Sequence, residues 1–224
     1  MAVDRDKLIE KTPYLLHLTY QPSLERIRRT ETLESAGRLL ELGDLQHWLR
    51  RRRESMLRFE IGEDKIVLTD QLPLESGHIE FEGGWELADL IEALNERVFF
   101  WRGNRDGLLS KDKGHFEKYK QREEQLVFLR IPFADAMEIE ENGIPQYCRF
   151  NSGGPRCSGG AKIPRGPSTF VEASDADFTF GKVREVVFPN VFRLPDSTQM
   201  CVGGWSGPWV DFQNASKTSH SGSD

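Results

Sequence analysis

The sequence lacks the motifs that identify several large enzyme classes. It contains no GxSxG nucleophile elbow, no GxxxxGKS or GxxxxGKT phosphate-binding loop and no dinucleotide-type GxGxxG. Its three cysteines show no CxxC spacing, and its five histidines form no HExxH or HxH pattern. We therefore expect neither a disulfide scaffold nor a bound metal, and we expect the reducing environment of the cytoplasm.

Long hydrophobic runs are also missing. No apolar run approaches the length that crosses a bilayer, and the first ten residues carry too many charges for a signal peptide. The net charge of -6 argues against tight, non-specific binding to polyanions, although four arginines at positions 50–53 form a local basic cluster. We predict a single domain over residues 1–212, without membrane contact, and a disordered polar tail over residues 213–224.

The most informative stretch is a run of aromatic residues in mid-chain. Residues 95–103 read as a strand that leaves the end of a helix and stops at Gly103. Because side chains alternate along a strand, Phe99 and Trp101 share one face and Phe100 takes the other. The run is typical of a buried core strand, and the polar residues that follow it also allow one face to form the wall of a pocket.

The first half of the chain alternates short strands and helices. A strand over residues 13–20 carries His17 and Thr19 on one face, and a helix follows over residues 22–29. Ser35 and Gly43 have the side chains expected at the start and end of a helix over residues 36–42.

Further elements complete the predicted fold. Asp44 is predicted to cap a following helical segment. A helix over residues 85–95 precedes the aromatic strand, and strands are expected over residues 125–131 and 183–188. The pattern predicts an α+β domain around a small mixed or split β-sheet with flanking helices.

The last of these strands contains a carboxylate among apolar residues. Glu185 lies between Val183 and Val186, and the strand ends at Pro189. A glutamate there either faces solvent on an edge strand or has a chemical reason to be buried.

Three stretches occur in an order that resembles the ADP-ribosyltransferase superfamily, particularly its DarT-like members. They are the His17-x-Thr19 strand with the helix after it, the Arg-Val-Phe-Phe-Trp strand that ends at Trp101, and the late strand with Glu185 before Pro189. The resemblance spans residues 14 to about 196. The chain also resembles a poorly characterised bacterial family that shares the stretches Leu-Asn-x-Arg-Val-Phe-Phe-Trp and Asp-Gln-x-Pro-Leu.

The resemblance implies a mono-ADP-ribosyltransferase that uses NAD as co-substrate and needs no metal. Breaking the nicotinamide–ribose bond of NAD builds positive charge on the sugar, which a fixed carboxylate can stabilise. The implied catalytic residues are Glu185 and Arg51. The implied NAD-binding residues are His17, Thr19, Phe100, Trp101, Arg102, Asn151 and Ser152. Arg149 and Arg165 are the implied substrate-binding residues.

The resemblance also implies a bacterial toxin or phage-defence enzyme, with a DNA or RNA base slightly preferred over protein as acceptor and an antitoxin as a candidate partner. The Ser-Thr-Ser strand that is usual in toxin-type members is missing from this chain. The most similar stretch is Pro-Ser-Thr-Phe at residues 167–170. Two alternatives stay open. The first is an inactive relative that binds nucleotide or nucleic acid. The second is a protein-interaction module in which the aromatic strand is only part of the hydrophobic core.

Overall fold

A large antiparallel sheet forms the centre of the computed structural model, which describes residues 3–105, 107–108, 124–155, 161–205 and 207–214. The α-helices in these residues are α1 (Arg5–Lys11), α2 (Leu24–Thr30), α3 (Ala36–Leu42), α4 (Leu87–Asn95) and α5 (Phe133–Glu138). The strands are β1 (Tyr14–Tyr20), β2 (Thr32–Glu34), β3 (Leu57–Ile61), β4 (Asp64–Leu68), β5 (Ile79–Phe81), β6 (Arg97–Asn104), β7 (Gly107–Leu108), β8 (Leu126–Pro132), β9 (Gln146–Cys148), β10 (Ile163–Arg165), β11 (Glu185–Pro189), β12 (Val191–Arg193), β13 (Gln199–Val202) and β14 (Val210–Asp211).

The main sheet has eight strands in the order β14-β13-β8-β1-β6-β11-β9, with β7 paired to β6. All of these pairings are antiparallel. Among the described strands, parallel pairing is confined to β5 and β10, which form a separate small sheet. The α+β class is therefore confirmed, whereas the expectation of a small mixed sheet is wrong. The order of elements along the chain does not reveal the sheet, because β2 after α2 pairs with β12 outside it.

The larger hydrophobic core lies on the face of the sheet that carries Phe100. The rings of Phe100, Phe188 and Phe192 pack together, with centroids 4.6 to 5.7 Å apart. All three side chains are fully buried. Phe99 instead packs against the second core, which includes Leu90 and Leu94 of α4. The predicted alternation of the β6 side chains is confirmed. Because of it, β6 contributes to two hydrophobic cores on opposite faces of the sheet.

The main sheet divides between β1 and β6. These strands pair only from Tyr14 opposite Gly103 to Leu16 opposite Trp101. Beyond that point β1 continues along β8 to Tyr20, while β6 continues along β11 towards its start at Arg97. The two halves therefore separate, and the backbone from residue 17 onwards leaves a gap beside β6.

Helix α3 begins and ends where the sequence predicts. The Ser35 side chain accepts a hydrogen bond from the backbone N–H of Arg38 at 3.2 Å, and Gly43 follows the last turn. The predicted cap at Asp44 is wrong, because Asp44 has a left-handed backbone (φ 57°) and the next element is only a short 3-10 turn, Gln46–Trp48.

Replacing Ser35 by alanine is expected to destabilise the protein by about 1 kcal/mol, since the N–H of Arg38 loses its acceptor at a buried helix start. Urea unfolding followed by circular dichroism measures the change. Ser174→Ala is the matched control, because Ser174 is exposed and caps no helix. Equal stability of the Ser35 variant and the wild type would contradict the capping role.

Two further expectations concern the ends of the chain and the membrane. The predicted disordered tail lies outside the described residues except for Gln213 and Asn214. No helix in the described part of the chain has the length and apolar character to cross a bilayer.

Candidate functional site

A cavity of about 260 Å³ lies where the sheet divides. Its wall includes the end of β1 on one side and the start of β6 on the other. Polar and aromatic side chains of its wall include those of His17, Thr19, Arg26, Glu34, Arg53, Thr69, Asp70, Gln71, Asn95, Arg97, Phe99, Trp101, Asn151, Ser152 and Glu185. The cavity is close to the lower size limit of small-molecule sites, and apolar side chains make up most of the remaining wall.

His17 links the two halves of the divided sheet. Its Nδ1 lies 2.9 Å from the carbonyl oxygen of Phe99. Burial lowers the pKa of His17 from 6.5 to about 4, and the hydrogen bond to Phe99 offsets part of this effect. The ring is therefore neutral at pH 7. Because a carbonyl oxygen can only accept, Nδ1 carries the proton and Nε2 is an acceptor.

This shift predicts a pH-dependent stability. The unfolded histidine takes up a proton near pH 6.5 and the folded one only near pH 4. The unfolded state therefore binds more protons between these values, and the folded state loses stability as the pH falls from 6.5 towards 4. We expect the wild type to lose about 2 kcal/mol more than His17→Gln between pH 7 and pH 5. Urea unfolding at both pH values measures the difference, and equal losses in the two proteins would contradict it.

Glu185 is buried and fixed by the loop that follows β9. It is 3% exposed and lines the cavity. Its Oε2 accepts two hydrogen bonds from Ser152, one from the hydroxyl at 2.6 Å and one from the backbone N–H at 3.0 Å. Ser152 is itself 1% exposed. Two donors on one oxygen fix the orientation of the carboxylate.

The aromatic strand lines the cavity mainly with the face that carries Phe99 and Trp101, although Val98 of the other face also contributes. Phe99 and Trp101 line the wall and are half-buried, so a flat ligand can contact both rings. Phe100 does not line the cavity and is fully buried in the larger core, where its ring lies 5.6 Å from the ring of His17. The prediction that Phe100 binds the ligand is therefore corrected, because the alternation of the strand puts it on the core side.

Of the four arginines at positions 50–53, Arg53 lines the cavity and the predicted Arg51 does not. Arg51 is exposed, and its guanidinium lies over the ring of Trp48 at 4.9 Å. Arg53 is 5% exposed and lines the wall. After the 3-10 turn the chain is irregular rather than helical, so four adjacent arginines take unrelated directions.

Three other predicted arginines lie outside the cavity wall. Arg102 is on the Phe100 side, where Nη1 donates to the carbonyl of Val183 at 2.9 Å. Arg149 lies at the surface, 3.7 Å from Asp177. Arg165 is buried and supports the site indirectly.

Arg165 holds the loop that carries Ser152. Its Nη2 donates to the carbonyl oxygen of Asn151 at 2.8 Å, and its guanidinium lies over the ring of Phe150 at 4.6 Å. Asn151 and Ser152 both line the cavity, as does Thr19 of β1. The structure thus brings His17, Thr19, Trp101, Asn151, Ser152 and Glu185 together, as predicted.

Sequence reasoning missed a polar group behind Arg53. Asn95 accepts from Nη1 of Arg53 at 2.9 Å and from the Gln71 side chain at 3.5 Å. Asn95 belongs to the stretch Leu-Asn-x-Arg-Val-Phe-Phe-Trp and Gln71 to the stretch Asp-Gln-x-Pro-Leu. These are the two stretches that resemble a poorly characterised bacterial family. The presence of both stretches in one chain was the sequence signal that could have pointed to Asn95 and Gln71. The sequence alone does not place these two residues beside an arginine.

No group of three or more histidine, cysteine, aspartate or glutamate side chains in the described residues could hold a metal ion. Comparisons with curated proteins and with solved structures gave no match. A family model described as a family of unknown function (DUF7002) matches residues 13–193, which include every residue assigned here to the cavity. The chain therefore belongs to the DUF7002 family of unknown function.

Proposed function

We propose that the protein is an NAD-dependent mono-ADP-ribosyltransferase with its active site in the cavity between β1 and β6. The main support for this proposal is that His17, Trp101 and Glu185 line the same cavity, although they come from distant parts of the chain. The resemblance of the sequence to DarT-like enzymes rests on the same three stretches.

The chemistry of these residues suits cleavage of the nicotinamide–ribose bond. The rings of Phe99 and Trp101 offer apolar faces for nicotinamide. The neutral His17 can accept a hydrogen bond from a ribose hydroxyl through Nε2. The cavity has room for about the nicotinamide, the ribose and the phosphate next to it, so the adenosine part of NAD extends beyond it.

In the proposed reaction, the bond between C1′ of the ribose and the nicotinamide nitrogen breaks, and its electron pair leaves with neutral nicotinamide. Positive charge develops on the sugar, and the Glu185 carboxylate stabilises it. The acceptor nucleophile then supplies an electron pair to C1′ and releases a proton. A nucleic-acid base as acceptor and an antitoxin as partner stay predictions from the resemblance.

The test is release of nicotinamide from NAD. The purified full chain is incubated with NAD, with and without single-stranded DNA, RNA or a protein mixture, and nicotinamide is separated by liquid chromatography. Release above the spontaneous rate, with ADP-ribose appearing on water or on one acceptor, is expected. Absence of both NAD binding at millimolar concentration and nicotinamide release would overturn the proposal.

A further inference from the structure

Arg53 is a buried cation in the cavity wall whose hydrogen-bond partners are neutral, while the charge of Asp70, which also lines the cavity, compensates it only in part. Its Nε donates to the carbonyl oxygen of Thr69 at 3.0 Å, and its Nη1 donates to Oδ1 of Asn95 at 2.9 Å. Within the described residues, Nη2 of Arg53 has no hydrogen-bond partner and the side chain forms no ion pair. One end of a charged guanidinium is thus available to a ligand.

The other arginines of the cavity wall are compensated. Arg26 forms ion pairs with Glu34 at 2.5 Å and with Asp64 at 3.1 Å. Arg97 lies 3.4 Å from a carboxylate oxygen of Glu96. Buried charges are normally paired in this way, because an isolated charge loses its hydration without compensation. Arg53 departs from this pattern at the most buried position of the three.

The position of the Arg53 side chain is fixed from behind. Both polar atoms of the Asn95 amide form hydrogen bonds. Nδ2 donates to the carbonyl oxygen of Leu49 at 2.9 Å, and Oδ1 accepts from Arg53. The side chain of Gln71 also accepts from the backbone N–H of Arg53 at 3.1 Å. These contacts hold the guanidinium in one orientation before any ligand arrives, which reduces the entropy cost of binding.

Burial makes this cation unfavourable without a ligand. It lowers the pKa of Arg53 to about 10, and the charge of Asp70 offsets only part of the effect. The side chain nevertheless stays protonated at neutral pH. An anion in the cavity would gain a strong, poorly screened interaction with it.

We propose that Arg53 forms an anion subsite in the cavity and that the ligand places a phosphate group there. Guanidinium groups pair well with phosphate oxygens, and the nicotinamide half of NAD carries a phosphate next to its ribose. The identification of that phosphate rests on the proposed function. The subsite itself rests only on Arg53, its burial and its neutral hydrogen-bond partners.

The experiment compares two ligands that differ by one phosphate. Nicotinamide mononucleotide and nicotinamide riboside are titrated calorimetrically into the full chain. We expect the mononucleotide to bind roughly 10- to 100-fold more tightly, as a charge-assisted hydrogen bond contributes in a buried site. Arg53→Gln should remove this difference, and Arg53→Lys should restore part of it. Arg52→Gln is the matched control, because Arg52 bonds the carbonyl of Leu74 and does not line the cavity.

A titration with inorganic phosphate shows whether Arg53 binds free phosphate as well as the phosphate of a nicotinamide nucleotide. It also tests the anion subsite independently of the proposed enzyme activity. Inorganic phosphate should raise the melting temperature of the wild type and of Arg52→Gln but not of Arg53→Gln. Equal affinity of the wild type for mononucleotide and riboside would overturn the subsite while leaving the proposed function intact. A phosphate effect that needs Arg53, without binding of any nicotinamide compound, would keep the subsite and overturn the proposed function. No binding of either kind would overturn both.

Discussion

Replacing Glu185 by glutamine is expected to lower nicotinamide release from NAD by about two to three orders of magnitude, the usual cost of removing one electrostatic stabiliser of a charged transition state. The substitution removes the negative charge and keeps the shape. A glutamine carbonyl oxygen can still accept both hydrogen bonds from Ser152, so the loop after β9 should stay in place. Initial rates of nicotinamide release measure the effect.

The loss should fall on kcat rather than on the affinity for NAD, because the sugar becomes cationic only in the transition state. Calorimetry with NAD checks the affinity, and circular dichroism checks the fold. Glu80→Gln is the matched control, since Glu80 is an exposed glutamate on a strand, β5, and lies outside the cavity wall. Release that survives in Glu185→Gln would remove Glu185 from the catalytic role, even if NAD still binds.

Local signals predicted those elements whose ends depend on neighbouring residues. Helix α3 is an example, because Ser35 reaches an N–H only three residues away and Gly43 follows the last turn directly. The alternation of β6 was equally predictable, since it follows from strand geometry alone. The size and antiparallel order of the main sheet were not predictable, because they depend on pairings such as β13 with β8 between distant segments.

The choice among the arginines at positions 50–53 shows the same limit within the site. The segment has no regular structure that would assign directions to its side chains. Arg53 turns inward because Asn95 and Thr69 offer acceptors there, and these residues lie 42 and 16 positions further along the chain. The sequence predicted a basic residue near the ligand, but its identity depended on contacts that only the folded chain creates.

The two phenylalanines of β6 provide the sharpest test of which face forms the cavity. Phe100→Ala should destabilise the protein by about 3 to 5 kcal/mol, because the fully buried ring leaves a hole against Phe188 and Phe192. Phe99→Ala should cost less stability, since the ring is only half-buried at the cavity wall. Urea unfolding of both variants gives the two values.

The ligand response should show the opposite order. Phe99→Ala removes an aromatic surface from the cavity, and we expect NAD to bind it roughly 10-fold more weakly than the wild type. A folded Phe100 variant with a smaller substitution, Phe100→Leu, should lose less affinity than Phe99→Ala, because position 100 faces the larger core and reaches the ligand only through its contact with the His17 ring, 5.6 Å between centroids. Since the two residues are adjacent on one strand, no difference in local sequence accounts for such a reversal. If Phe100→Leu weakens NAD binding and Phe99→Ala does not, the ligand lies on the other face of the sheet, and the cavity between β1 and β6 is not the active site.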